Sequence, residues 1–157
     1  RARRTGRPFQ VVMLDLDNFK QVNDTFGHKV GDQMLREAAR ILHAQLREYD
    51  FLARYAGDEF VAIVQDLTAE QVEELCGRIE TAVSRFALRV RPNEFARVGV
   101  SVGAATYGAD GETLDQLLIA ADQAMYSVKS THKQNPVPAG ESAVDLDTGN
   151  LASTAIN

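Results

Sequence analysis

A single cysteine, Cys76, stands in 157 residues, so an internal disulfide framework is excluded. It falls on an apolar helical face and reads as a small core residue with no redox role. No apolar run is long enough to cross a bilayer, and no signal peptide is visible. A basic excess is also missing. The net charge is −5, so bulk attraction to nucleic acid or to an anionic membrane is not expected, although a small basic site remains able to bind phosphate. The first residue is arginine, not methionine, and the chain reads as a piece of something longer. The short run Arg1, Arg3, Arg4, Arg7 reads as the solvated end of a preceding helix or linker rather than a nucleic-acid arm. The expected setting is cytoplasmic, including the cytoplasmic part of a larger or membrane-bound protein.

The length fits one domain with a real core. Hydrophobic residues at 45% and charged residues at 25% are the usual globular mixture. Phe9 to Leu16 is a mostly apolar run of strand length ending in acids, and it reads as a buried central strand. Asn18 to Phe26 forms a short helix that Gly27 stops. From Asp32 onward, Met34, Leu35, Ala38, Leu42 and Leu46 recur at helical spacing, to about Glu48. Phe51 to Tyr55 and Phe60 to Gln65 are strand-like, and Ala56 to Glu59 between them suit a tight hairpin.

Thr68 with Gln71 signals a capping box. The helix behind it carries Val72, Leu75, Cys76, Ile79, Val83 and Phe86 on one face. A short extra strand is placed near Ala87 to Arg91. Val98, Val100, Val102 and Ala104 alternate with Gly99, Ser101 and Gly103, a strand whose glycines imply close backbone approach. Thr113 with Gln116 is a second capping box, ahead of a helix carrying Leu114, Leu117, Leu118, Ala121, Met125 and Val128. The order β-α-β-β-α-β-α, with a hairpin among helical crossovers, implies an α+β domain with an antiparallel or mixed sheet under helices. The domain is expected over residues 1–133. Residues 134–157 hold no lysine or arginine, three acids and two prolines, and read as a flexible tail or linker.

The chemistry centres on acids. Asp15 and Asp17 end the first strand, and Asp58 and Glu59 occupy the hairpin tip. Taken singly, each reads as a solvated turn residue. Brought together they need a cation, because two carboxylates about 4 Å apart repel by roughly 4 kcal/mol at an effective dielectric near 20. Oxygen ligands suit Mg²⁺, which binds through one or two carboxylates plus substrate phosphates. Lys20 is placed to neutralise a phosphate, or is a plain surface lysine. Asn23, His28 and Asp32 surround Gly27 and Gly31. An amide with a carboxylate can read a guanine edge. The bland alternative is loop and N-cap chemistry, which Asp32 would suit. Arg47 and Asp50 at i,i+3 read alone as a surface ion pair worth about 0.2–0.5 kcal/mol.

DLDNFKQVNDTFGHKVGD followed by RYAGDEF, with the late helix LIAADQAMYSVK, resembles the GGDEF family of diguanylate cyclases. The resemblance runs from about Pro8 to Lys133 and rests on two long motifs at the right separation. It implies a nucleotidyl-cyclase palm, a central mostly antiparallel sheet flanked by helices in an α/β sandwich. It implies condensation of two GTP into cyclic di-GMP with release of two pyrophosphates, dependent on Mg²⁺ or Mn²⁺.

By position, the resemblance makes Asp15, the Leu16 carbonyl and Asp58 the metal ligands. Asp58 is also the proposed base for the ribose 3′-hydroxyl, with Glu59 in support and Lys20 stabilising phosphate charge. Asn23 and Asp32 are implied to recognise guanine with His28 close by, and Lys129 and Lys133 to contact the triphosphate. Arg47 and Asp50 match an RxxD product-inhibition site, with Arg78 as a second contact. One domain holds one GTP, so a homodimer is implied for catalysis, and an upstream regulatory domain is implied in the full protein.

Three departures from the family pattern stand out. Alanine replaces the first glycine of the hairpin motif. That is costly if position 56 needs a positive φ or very close approach to a nucleotide, and harmless if it is extended. The usual Gly-Arg-Asn after the last helix reads His132-Lys133-Gln134, and lysine lacks the planar fork of arginine. Asn135-Pro136-Val137-Pro138 replaces the usual final strand, and the segment that usually precedes the first strand is missing. The alternative function is an inactive relative that senses cyclic di-GMP through Arg47, Asp50 and Arg78, or GTP through Asn23 and Asp32. A different nucleotidyltransferase on the same palm is a third reading. Asp32 argues against an adenine-preferring one, because a carboxylate repels the adenine N1 acceptor.

Overall fold

The computed structural model describes residues 9–134 and the backbone of residues 140–142. The basic run at residues 1–7 and the segment Asn135 to Pro138 lie outside the described residues. The elements in order are β1 (Phe9–Asp17), α1 (Phe19–Phe26), α2 (His28–Gln45), β2 (Phe51–Ala56), β3 (Glu59–Gln65), α3 (Ala69–Arg85), β4 (Leu88–Arg91), β5 (Glu94–Ala96), β6 (Gly99–Thr106), α4 (Leu114–Gln134) and β7 (Gly140–Ser142).

The main sheet has the order β2-β3-β1-β6, and every pairing in it is antiparallel. β1 is central, as its apolar run implies. Residues from Gln10 to Asp17 along it are buried. Successive side chains on a strand point to opposite faces, and β1 uses both. Val12, Leu14 and Leu16 join one apolar layer with Met34, Leu42, Ile79 and Val83 of α2 and α3. Val11 and Met13 join the other, with Leu117, Ala121 and Met125 of α4. The helices therefore flank the sheet, the α+β sandwich that the element pattern implies.

Gly103 fixes how closely α4 sits. A Cβ at that position would lie 2.1 Å from the Met125 backbone nitrogen and 2.6 Å from the Ala121 carbonyl oxygen. Only hydrogen fits there, which is the close approach that the Val/Gly alternation implies.

Several expectations shift. α2 starts at His28 rather than Asp32, so Asp32 lies inside the helix and is not its N-cap. The Thr68 and Gln71 capping box is complete. At the second candidate, the Gln116 amide donates to Thr113 Oγ1, but Gln116 Oε1 accepts from the Glu112 amide instead of closing the box. Leu114 is exposed, one turn short of the layer that Leu117 begins. α4 runs through Gln134, so His132 and Lys133 are helical and do not follow the helix.

The extra strand at Leu88–Arg91 pairs with β5, and β5 pairs with β7 in a second small sheet. Within the segment read as a tail, the backbone of 140–142 is thus paired, and Gln134 belongs to α4. Cys76 is half-buried against the core. Burial pushes its thiol up to about 11, as suits an inert packing residue.

Candidate active site

The site grows from β1. Its odd-numbered face carries Val11 and Met13 under α4, and the next two side chains on that face are Asp15 and Asp17. The facing stripe of α4 behaves the same way. Leu117, Ala121 and Met125 are buried, and the following positions at helical spacing are Lys129 and His132. One continuous layer is therefore apolar through its middle and charged at one end, acids from the strand against bases from the helix. Lys129 Nζ lies 3.0 Å from Asp17 Oδ1 and 3.5 Å from Asp15 Oδ2. His132 Nδ1 lies 2.7 Å from Asp17 Oδ2.

The hairpin brings the second pair of acids. Asp15 is the direct cross-strand partner of Glu59, so the two side chains share a face. The turn between β2 and β3 is Gly57 and Asp58, two residues rather than four. The Leu16 amide donates to the Asp58 carbonyl at 3.1 Å, which fastens the turn to the end of β1. Arg54 Nε donates to the Gly57 carbonyl at 2.7 Å and braces it from β2.

The backbone at position 56 is unstrained. Among the described residues, the non-glycine residues with positive φ are Asn18 and Asp66, so Ala56, in β2, is not strained. The positive φ of the turn falls on Gly57, at 49°, where glycine is the suitable residue.

Electrostatics mark Asp15. Burial, then the neighbouring Asp58, push its carboxyl up to about 6, with Glu59 adding and Lys129 opposing. Its Oδ1 is buried without a hydrogen-bond partner. Such an orphaned oxygen is uncommon and calls for an explanation. Glu59 is also pushed above the ordinary carboxylate range, by burial and then by Asp122 and Asp58. Burial disfavours the charge on Lys129, but its bonds to Asp17 and the nearness of Asp15 outweigh this and raise its pKa.

Asp15 thus keeps a buried oxygen that no described protein group satisfies, and an added cation fits there. Among the described residues no group of three or more His, Cys, Asp or Glu is placed to hold a metal alone. Two carboxylates and a backbone carbonyl, completed by substrate phosphates, is the donor set that Mg²⁺ takes.

A cavity of about 690 Å³ opens on this corner. Leu16, Lys20, Asp58, Lys129 and Lys133 line it, with Glu80, Thr81 and Ser84 of α3 on the far wall. Lys20 is largely exposed and pairs with Asp24 at 3.1 Å. The residues assigned to guanine are placed elsewhere. Asp32 lines a separate cavity of about 540 Å³ between α2 and the hairpin strands. Asn23 packs on α2 so closely that a Cβ at Gly31 would lie 1.8 Å from its Oδ1. His28 is exposed at the first position of α2.

Arg47, Asp50 and Arg78 line one small cavity of about 170 Å³. The ion pair expected from the i,i+3 spacing forms, but off the helix, in the loop after α2. Arg47 Nε and Nη2 bond both Asp50 oxygens, at 3.1 and 3.0 Å. The Asp50 side chain is 3% exposed and that of Arg47 34%, so the pair is half-buried rather than fully solvated. The Arg47 guanidinium also lies over the Tyr49 ring, 4.7 Å from its centroid. Arg78 reaches across from α3 to the Gln45 carbonyl at 3.2 Å.

Sequence reasoning assigned no part to Ser101, and gave Asp17 and His132 no role of their own. Ser101 Oγ donates to Asp17 Oδ1 at 2.7 Å, 84 positions away in the chain. The available signal was weak: a serine at a fully enclosed position in an otherwise apolar strand.

The description "Diguanylate cyclase, GGDEF domain" matches residues 1–135. Diguanylate cyclase DosC of Escherichia coli strain K12 is 33% identical over 128 residues, covering 82% of this chain and 28% of the relative. Response regulator PleD of Caulobacter vibrioides strain NA1000 / CB15N is 36% identical over 132 residues, covering 83% and 29%. The chain thus spans less than a third of these relatives. Among solved structures, the GGDEF domain of DgcB from Caulobacter crescentus in complex with c-di-GMP is 33% identical. It matches with a TM-score of 0.77 over 83% of this chain and 77% of that one. The GGDEF domain of YfiN from Pseudomonas aeruginosa is 30% identical with a TM-score of 0.78, over 83% and 81%.

Proposed function

The chain belongs to the GGDEF family of diguanylate cyclase domains, and on that premise we propose that it condenses two GTP into cyclic di-GMP with release of pyrophosphate. The observation that carries this reading is Asp15 with its partnerless oxygen, close enough to Asp58 to be raised by its charge, next to a cavity of about 690 Å³ that Leu16, Asp17 and Asp58 line.

Asp15, Asp58 and the Leu16 carbonyl would hold Mg²⁺ or Mn²⁺. When bound, the ion supplies charge neutralisation at the triphosphate. The chain's own residues do the rest. Asp58 is the base for the 3′-hydroxyl and Glu59 supports it. Lys20, Lys129 and Lys133 bind phosphate oxygens. Asn23 and Asp32 orient guanine, with His28 nearby. One such site handles one nucleotide, so two domains must face each other and positioning contributes much of the rate. A homodimer is thus part of the proposal.

We further assign product inhibition to Arg47, Asp50 and Arg78. Their convergence on one cavity supports it, and a GGDEF domain of similar structure is known in complex with c-di-GMP. A module that only senses cyclic di-GMP would keep this cavity and lose turnover. Incubation of a dimeric form with GTP and Mg²⁺, followed by nucleotide chromatography, separates the two. Cyclic di-GMP that disappears on Asp58→Ala supports the enzyme. Its absence at high protein concentration refutes turnover and leaves the sensor.

A further inference from the structure

Asp17 and Asp15 stand on the same face of one strand, yet their surroundings are opposite. Asp17 is saturated. Ser101 Oγ donates to its Oδ1 at 2.7 Å, Lys129 Nζ to the same oxygen at 3.0 Å, and His132 Nδ1 lies 2.7 Å from Oδ2. Ser101 Oγ and His132 Nδ1 are themselves 3.0 Å apart. A carboxylate only accepts, so Nδ1 carries the proton in its contact with Asp17. Ser101 is fully enclosed and Asp17 is 8% exposed, so the bond between these two is shielded from water and worth more than a surface one. Among the described residues, Asp15 has one oxygen with no partner, and its other oxygen lies 3.5 Å from Lys129 Nζ.

That contrast divides the labour between the two acids. A divalent cation at Asp15 would repel the Lys129 ammonium, which stands 3.5 Å from the same carboxylate. Lys129 must then leave Asp15. Its bond to Asp17 is the shorter one and does not compete with the cation, and Lys129 already lines the large cavity beside His132 and Lys133. A lysine pivoting on Asp17 moves from one anion to another, from Asp15 to the phosphates, without being left unpaired.

We propose that Asp17, Ser101 and His132 form a polar anchor that positions Lys129 as counter-ion of Asp15 in the empty site and as phosphate contact in the loaded one. Asp17 is then a positioning residue and not a metal ligand, and His132 acts through Asp17. The inference rests on the nucleotide and cation reading above. It concerns residues outside the hairpin motif, and His132 is one of the positions where this chain departs from the family pattern.

The test uses Mn²⁺ and a fluorescent GTP analogue on the intact domain, with binding measured directly. Lys129→Met removes a competing cation from Asp15, so Mn²⁺ binds the nucleotide-free protein about threefold to tenfold more tightly, while the analogue binds more weakly. This opposite movement is the signature. Mn²⁺ affinity that is unchanged or weaker in Lys129→Met overturns the proposal.

His132→Ala loosens the anchor and raises KM for GTP by more than it lowers kcat, and His132→Asn, which keeps a donor near the Nδ1 position, restores KM. A His132→Ala variant that loses thermal stability with KM unmoved shows a merely structural role and also overturns it. If the wild type forms no cyclic di-GMP, the catalytic reading fails, but the Mn²⁺ comparison still decides whether Lys129 guards Asp15.

Discussion

Asp15 of β1 and Glu59 of β3 are direct cross-strand partners, so two carboxylates face the same way at the end of the central strand. Burial, then Asp58, push the Asp15 carboxyl up to about 6, with Glu59 adding a smaller part. A raised acid binds its proton more tightly in the folded state than in the unfolded one. Ionisation therefore disfavours folding, and the disadvantage develops between about pH 4 and pH 6. Metal-free protein is expected to lose stability across that window relative to Asp15→Asn, by up to about 2 kcal/mol in urea titrations. Parallel curves for the two proteins would refute this. Apparent Mn²⁺ affinity should rise with pH to about 6 and then level off, because the cation needs the ionised carboxyl.

Ala56 is extended and exposed at the end of β2. Restoring glycine there should change little. Ala56→Gly is expected to alter turnover by less than about threefold and to destabilise by about 0.5–1 kcal/mol, the backbone entropy of glycine in a strand. A large gain in turnover would mean that the methyl group meets the nucleotide. By contrast, Asp58→Ala should reduce cyclic di-GMP formation at least about a hundredfold if Asp58 has the proposed roles of metal ligand and base.

Arg47 binds Asp50 through two nitrogens, a geometry that lysine cannot reproduce. Arg47→Lys should raise the concentration of cyclic di-GMP needed for half-inhibition by about tenfold or more, since a forked charge-assisted contact is worth about 1.5–3 kcal/mol. Progress curves that plateau at the wild-type product level would refute the assignment of this cavity to inhibition.

Gly103 packs against the Met125 and Ala121 backbone, and backbone cannot step aside as a side chain can. Gly103→Ala should destabilise by about 3 kcal/mol or more and shift α4 outward. Because Lys129 and His132 ride on α4, any protein that still folds should also bind GTP more weakly. Denaturant titration together with nucleotide binding checks both effects.

Much of this arrangement was legible in the sequence where one physical signal dominated. The apolar run ending at Asp15 gave β1 its central place, and the Val/Gly alternation of β6 announced the close helix that Gly103 permits. Thr68 and Gln71 announced α3. Signals failed where no apolar period was available. The first turn of α2, His28 to Gly31, has little apolar pattern, so the sequence alone places the start of the helix late, at Asp32. The network of Ser101, Asp17 and His132 was hidden for another reason. Its members lie 84 and 115 positions apart, and each alone is an ordinary polar residue. Only the antiparallel register of β1 with β6, and the continued stripe of α4, bring them into contact.

β1 places its even-numbered side chains in one apolar layer and its odd-numbered ones in another. A slip of one residue would exchange the two sets and turn Asp15 into the layer of Leu14 and Leu16. Such a molecule could not remain folded, because it would bury bare carboxylates among hydrocarbon. Misaligned acids therefore do not yield a sluggish catalyst; they yield an unfolded chain. A preparation of this domain should behave as a mixture of correctly aligned and fully unfolded molecules, and the number of nucleotide-binding sites found by titration should follow the folded fraction in proportion.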